Sequence, residues 1–320
     1  MFYVITLGGI PTVLSITFSH LVRNAGYSKE ASFGLSMGAV LNIIFDPLFM
    51  FVILPPGQEV VGAAAATMLS NLISTLYFVR TVLKLSGESV LTLSPKSALL
   101  DGEGVRSVLS VGLPSGLTIF LFDFASAFQN AAMAAHGDFQ MAAMGIVLKA
   151  ERLPIAVGLG LCQGTMPLVS YNYSARNYDR MRRAINMSRL CGVGVGVVSI
   201  AFYETCAPYV IRVFLNVSKG DPAAALATMA FGVSFLRVRT CGTLFTFLNF
   251  HITYMLQALG FGRSTLFISV VRLSVCFVGM VFLLDRLFGV MGVVGSQWAA
   301  EILTLTFAVP IFMRAVRPKD

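Results

Sequence analysis

Asn42 and Asp46 stand four residues apart in the apolar run LNIIFDPLFMFV (residues 41–52), and Pro47 follows directly. On a helix that spacing stacks the amide and the carboxylate on one face. An ionised carboxylate among apolar side chains is costly, so it takes up a proton or finds a partner. The Asn42 amide can donate to it, and Pro47 leaves a backbone carbonyl one turn back without its donor. Together these groups offer oxygen ligands for a proton, a water or Na⁺. The alternative is structural: Asp46 caps or kinks its helix and bonds a neighbouring one. Thr67, at the end of the run GAAAAT, reads on its own as an interhelical hydrogen bond beside small packing residues.

Two further constellations carry charge within apolar stretches. Asp123 lies nine residues after Pro114, with Ser126 and Asn130 one and two turns along the same face. In KAER (149–152), Glu151 sits between Lys149 and Arg152, a group that either lines a watery cavity or forms an interhelical ion pair. Glu204, near the end of its helix, reads as structural because its head can snorkel to water. The five cysteines (162, 191, 206, 241, 276) contain no CxxC pair and read as small packing residues. His20, His136 and His251 are equally dispersed, so the sequence offers neither a metal site nor a catalytic set.

The elements that position these residues follow from composition. Of the 320 residues, 56% are hydrophobic and only 12% charged, whereas soluble domains carry about 25% charged residues. A spanning helix needs roughly 20 mostly apolar residues. Nine spans are expected, near 2–22, 31–54, 60–83, 107–135, 139–170, 184–208, 225–257, 264–284 and 290–313. The net charge of +8 orients the chain rather than recruiting nucleic acid. Of the 23 Lys and Arg, fourteen fall in alternate loops and the C-terminal tail, three (Arg212, Lys219, Arg286) in the other loops, and six within spans. That is the positive-inside pattern, which puts the turn at 24–30 and the C-terminus in the cytoplasm. The basic, tyrosine-rich YNYSARNYDRMRRA (171–184) then reads as an interfacial anchor.

Two segments repeat. HLVRNAGYSK (20–29) matches YMLQALGFGR (254–263) at an offset of 234, placing Gly26 over Gly260. VGAAAAT (61–67) matches MGVVGSQ (291–297) at an offset of 230, placing Gly62 over Gly292. Six spans separate the copies, so they share one orientation, as in the parallel repeats of transporters. The expected organisation is a partial N-terminal lobe of three spans (1–84), a polar cytoplasmic linker (85–106) and a complete six-helix C-terminal lobe (107–320). The repeat distance places the ancestral start of the first copy roughly 130 residues before Met1.

The motifs GLSMGAVLNIIFDPLFMF and GAAAAT in the first half, with GLPSGLTIFLFD and QGTMPLVSYNYSARNYDRMRRAI in the second, resemble the multidrug and toxic compound extrusion (MATE) transporters. The resemblance covers essentially the whole chain, from the family's fourth span to its twelfth. It implies an all-α polytopic fold of two six-helix lobes, exporting cationic or amphipathic compounds in exchange for H⁺ or Na⁺. It also implies that Asn42 and Asp46 belong to a proton or cation site in the first lobe, with Thr67 at one of its hydroxyl positions. The acid on the first helix of that lobe has no counterpart here. In some subgroups an acid matching Asp123 helps bind Na⁺ in the second lobe, together with a tenth-span acid where this chain has Asn249. That amide in place of an acid tilts the expectation towards H⁺.

The expected function is secondary active multidrug antiport by a multi-pass, monomeric cell-membrane protein that needs no cofactor beyond its coupling ion. A lipid-linked oligosaccharide flippase of related architecture would be expected to line its cavity with several cationic residues for a pyrophosphate. The Asn42–Asp46–Pro47 element and the lone Lys149–Arg152 cluster argue against it. A membrane-embedded enzyme lacks its paired acids or nucleophile. A non-transporting remnant of an antiporter is the remaining alternative.

Overall fold

A computed structural model describes residues 2–55, 57–86, 102–215 and 222–316, with the side chains of 2–7, 111, 114, 115 and 222–224 set aside. Most of the expected linker (87–101), Lys219 and the terminal Arg317 and Lys319 lie outside the described residues. The chain divides into two compact units, Met1–Gly102 and Glu103–Asp320.

The first unit contains α1 (Phe2–Asn24), α2 (Ser28–Leu48) and α3 (Glu59–Leu85), with α2 running on as a π-helical segment, Phe49–Ile53. The π register begins just after Pro47, where the missing N–H has already loosened the α ladder. Small residues let the helices approach, which is how apolar helices associate where lipid is as greasy as their side chains. Gly34 accepts, through its carbonyl, a 2.9 Å hydrogen bond from Ser74 Oγ, and Phe78 lies fully buried over the same glycine. On the other side, Asn71 Nδ2 donates to Thr12 Oγ1 at 3.0 Å and Thr75 Oγ1 to the Pro11 carbonyl at 3.0 Å.

The second unit contains α4 (Gly102–Ala134), α5 (Asp138–Ser174), α6 (Tyr178–Phe214), α7 (Pro222–Thr240), α8 (Thr243–Ala258), α9 (Gly262–Val270), α10 (Val278–Phe288) and α11 (Val290–Val316). A π-helical segment, Val271–Phe277, joins α9 and α10 into one rod. At 37 residues each, α5 and α6 reach about 55 Å, well beyond a hydrocarbon core of about 30 Å. One buried cluster gathers Met133, Met144, Val147, Phe235 and Leu236. A second, near the basic turns, gathers Val169, Met181, Met255 and Ile268.

Helix occupies each of the nine expected places, and among the described residues seven of the rods are by length and composition long enough and apolar enough to cross a membrane. The span expected over 225–257 is corrected: it is interrupted at Cys241–Gly242, where Gly242 lies close against Trp298. The expected spans at 139–170 and 184–208 are each longer than the apolar pattern implied.

The repeat is physical as well as sequential. Gly26 and Gly260 both take positive φ (97° and 81°) at helix ends. Each end carries the paired bonds of a Schellman cap: Tyr27 N to Val22 O at 3.1 Å, and Phe261 N to Leu256 O at 2.9 Å. Gly62 and Gly292 each pack on the backbone of the helix before them, where a Cβ would overlap a carbonyl. Gly8 faces Met68 as Gly242 faces Trp298, at the same two offsets. The offset changes because residues 54–58 separate the helices in the first copy, whereas Gly289 alone does so in the second.

Candidate functional site

The three first-unit residues singled out by spacing come together. Asn42 Nδ2 donates to Asp46 Oδ1 at 3.1 Å along α2, and to Thr67 Oγ1 at 3.3 Å on α3. Thr67 Oγ1 in turn donates to the Ala63 carbonyl at 2.9 Å, which turns its lone pairs towards Asn42. Asn42 and Asp46 are half-buried and Thr67 is exposed, so the carboxylate is held on one side and open on the other. Among the described residues no Lys or Arg forms an ion pair with Asp46. The carboxylate therefore has one neutral donor and no counter-ion among the described residues.

The second unit has a cavity of about 220 Å³ lined from α4, α5, α7, α8, the π segment and α11. Asn130 and Glu151, two of the four expected cavity residues, line it. Asn249 does not: it is fully buried behind the wall and donates through Nδ2 to Glu301 Oε2 at 2.7 Å. Asp123 does not either, its side chain being exposed and outside the lining. Its neighbour Phe122 takes the inward place. Lys149 is likewise exposed and off the cavity, so Lys149 and Arg152 do not act as one cluster.

Glu151 is in an interhelical ion pair, but its partner lies far off in sequence. Arg239 Nε on α7 meets Glu151 Oε2 at 2.5 Å, and Arg239 Nη1 reaches Gln129 Oε1 at 3.4 Å. A second pair joins Arg272 Nη2 in the π segment to Glu301 Oε1 on α11 at 2.5 Å. Gln297 Nε2 also donates to Glu301 Oε1, at 2.7 Å, and the Arg272 guanidinium lies 4.6 Å from the Phe250 ring centre. All four ionic side chains are buried: Glu301 is 1% exposed and Arg272 6%. Pairing is what makes four buried charges tolerable.

Sequence reasoning passed over Arg239, Arg272 and Glu301. The signal was present, since each is a charge inside an apolar stretch and such residues are rare without a function or a partner. It also placed no histidine beside an acid, whereas His136 Nε2 lies 2.6 Å from Asp285 Oδ1, joining the α4–α5 turn to the end of α10. Glu204 is half-exposed, 3.8 Å from Arg237, in keeping with a structural role. Among the described residues no cluster could hold a metal ion.

Residues 114–283 match the MatE family. Multidrug export protein MepA of Staphylococcus aureus (strain NCTC 8325 / PS 47) is 29% identical over 300 residues, which make up 93% of this chain and 63% of that protein. This chain therefore spans a little under two thirds of the length of the curated relatives it matches. A crystal structure of MATE in complex with MaL6 superposes with a TM-score of 0.87 at 23% identity, over 98% of this chain and 68% of the other. An outward-facing multidrug resistance MATE transporter of the MOP superfamily gives 0.84 at 23% identity, over 94% and 65%. With the family matched over more than half its length and the fold superposed nearly end to end, the chain is a multi-pass membrane protein belonging to the MatE family.

Proposed function

We propose that the chain is the body of a secondary active exporter of amphipathic and cationic organic compounds, driven by inward exchange of H⁺, with Na⁺ as the alternative coupling ion. The observation that supports this most is the Asn42 amide bridging Asp46 and Thr67 beside a proline and a π segment, with no ion pair to the carboxylate among the described residues. Protonation of Asp46 removes its charge, and release of that proton is then tied to substrate entry in an alternating-access cycle. The two expected lobes, 1–84 and 107–320, and the cytoplasmic linker between them belong to this reading, as do a plasma-membrane location and a cytoplasmic C-terminus. Asn249, bonded to a carboxylate already paired with Arg272, leaves the second unit without an unpaired acid there, which supports H⁺.

The cavity arginines favour a second reading, flipping of a lipid-linked anionic headgroup, more than the sequence did. Two of the three are paired with buried carboxylates, however, and the cavity is below the roughly 300–1,000 Å³ of drug-sized pockets, let alone a glycan diphosphate. Ethidium transport in proteoliposomes under an imposed pH gradient tests the reading. The parent chain should move ethidium with the gradient, and Asp46→Asn should insert normally and not respond to it. An unaltered pH response in Asp46→Asn would sink the assignment.

A further inference from the structure

We propose that the second-unit cavity binds the carboxylate end of an aromatic amphipathic compound, so that this one subsite prefers anionic or zwitterionic ligands while cationic substrates are taken elsewhere in the chain. This deepens the efflux reading and rests on it for physiological meaning, though not for the binding itself.

Charge at the wall is the first ground. Three guanidinium groups, Arg152, Arg239 and Arg272, line the cavity against one carboxylate, Glu151. Arg239 already holds Glu151 Oε2, and Arg272 holds Glu301 behind the wall. Arg152 projects from α5 exposed, with no ion pair among the described residues. The local balance is therefore one uncompensated positive charge, which repels an ammonium and attracts an anion.

Unspent donors are the second ground. Arg272 is 6% exposed, yet its Nε has no hydrogen-bond partner, and the Thr246 hydroxyl, 3% exposed, has none either. Both residues line the same cavity. Buried polar atoms left unpaired in this way are costly and uncommon. Glu301, by contrast, is saturated, accepting from Arg272, Gln297 and Asn249. Arg272 Nε and the Thr246 hydroxyl therefore have no protein acceptor among the described residues. A carboxylate is acceptor-only and planar, so it suits a guanidinium edge.

Size and lining define the rest of the ligand. About 220 Å³ holds roughly seven waters' volume, enough for one end of a drug-sized molecule. Phe122, Phe250 and Phe277 supply faces for a ring beside the acid.

The test is calorimetric titration of the 320-residue chain in lipid nanodiscs with 4-phenylbutyrate and with 4-phenylbutylamine, a pair alike in shape and opposite in charge. The acid should bind at least about tenfold more tightly than the amine. Arg152→Gln, at an exposed and unpaired position, should keep the fold, weaken the acid about tenfold and leave the amine unchanged. Thr246→Val should weaken the acid by a smaller factor. Equal or tighter binding of the amine, no binding of either, or acid binding indifferent to Arg152→Gln would each overturn the proposal. Asp46→Asn should bind the acid as the parent does. Loss of gradient-driven ethidium transport with binding retained therefore bears on the coupling carboxylate, and loss of binding with transport retained bears only on substrate class.

Discussion

The helix triplet α1–α3 and its repeat, formed by α8, the α9–α10 rod and α11, have the same joints and different chemistry. The joints include the capped turns at Gly26 and Gly260 and the close approaches at Gly8–Met68 and Gly242–Trp298. At the repeat offsets, Asn71 falls on Glu301 and Thr67 on Gln297, while Gly38 falls on Arg272 and Asp46 on Met280. In the first copy the α1–α3 bond is neutral, Asn71 to Thr12 at 3.0 Å, and the acid lies separately on α2, half-buried and unneutralised. In the second copy the acid occupies the Asn71 place, fully buried, and an arginine has entered at a position that elsewhere needs a glycine. One scaffold thus carries a half-buried carboxylate with no ion pair among the described residues and a fully buried carboxylate held by an arginine. The difference is burial with a partner, not the presence of an acid.

Removing the two acids should separate these roles. Glu301→Gln leaves Arg272 buried and unpaired, and should cost about 3–5 kcal/mol, seen as a large fall in melting temperature or in recovered folded chain. If the pair is structural, replacing both together, as Arg272→Met with Glu301→Leu, should restore most of that loss. Asp46→Asn should change stability by less than about 1 kcal/mol, since it exchanges one 3.1 Å hydrogen bond at a half-exposed site for another polar contact.

The glycine joints should differ in the same direction. Gly242→Ala forces its Cβ onto the Trp298 backbone and should cost about 1–3 kcal/mol, measured by thermal melting in detergent. Gly8→Ala meets Met68 Cβ at 3.3 Å, a longer approach than at Gly242, and should cost less. The smallest effect is expected at Arg176, which holds a φ of 55° in a turn built like those at Gly26 and Gly260. Arg176→Gly should stabilise by up to about 1 kcal/mol, because an L side chain is strained there.

Much of this was legible beforehand for physical reasons. Apolar runs of spanning length and alternating basic turns gave helix at all nine places, and i, i+4 spacing gave the Asn42–Asp46 contact, because both rest on short-range periodicity. Thr67 was reachable as a site residue only through the family resemblance of GAAAAT. The Arg239–Glu151 and Arg272–Glu301 pairs were not, since 88 and 29 residues separate the partners and only packing joins them. The same blindness placed Asp123 in a cavity it does not line and read Lys149 and Arg152 as one cluster, when helix phase turns Lys149 off that cavity. The close approach of Trp298 to Gly242 at the break was hidden too, because Trp298 lies on another helix.

The proposed exchange of the Asp46 proton for substrate can be followed at the proton itself. Its most direct test is proton release: adding ethidium to the detergent-solubilised chain in weakly buffered solution and following pH. The parent should release protons on binding, Glu301→Gln with Arg272→Met should still do so, and Asp46→Asn should release none. Release from Asp46→Asn equal to that of the parent would contradict the claim and move the exchanging group elsewhere in the chain.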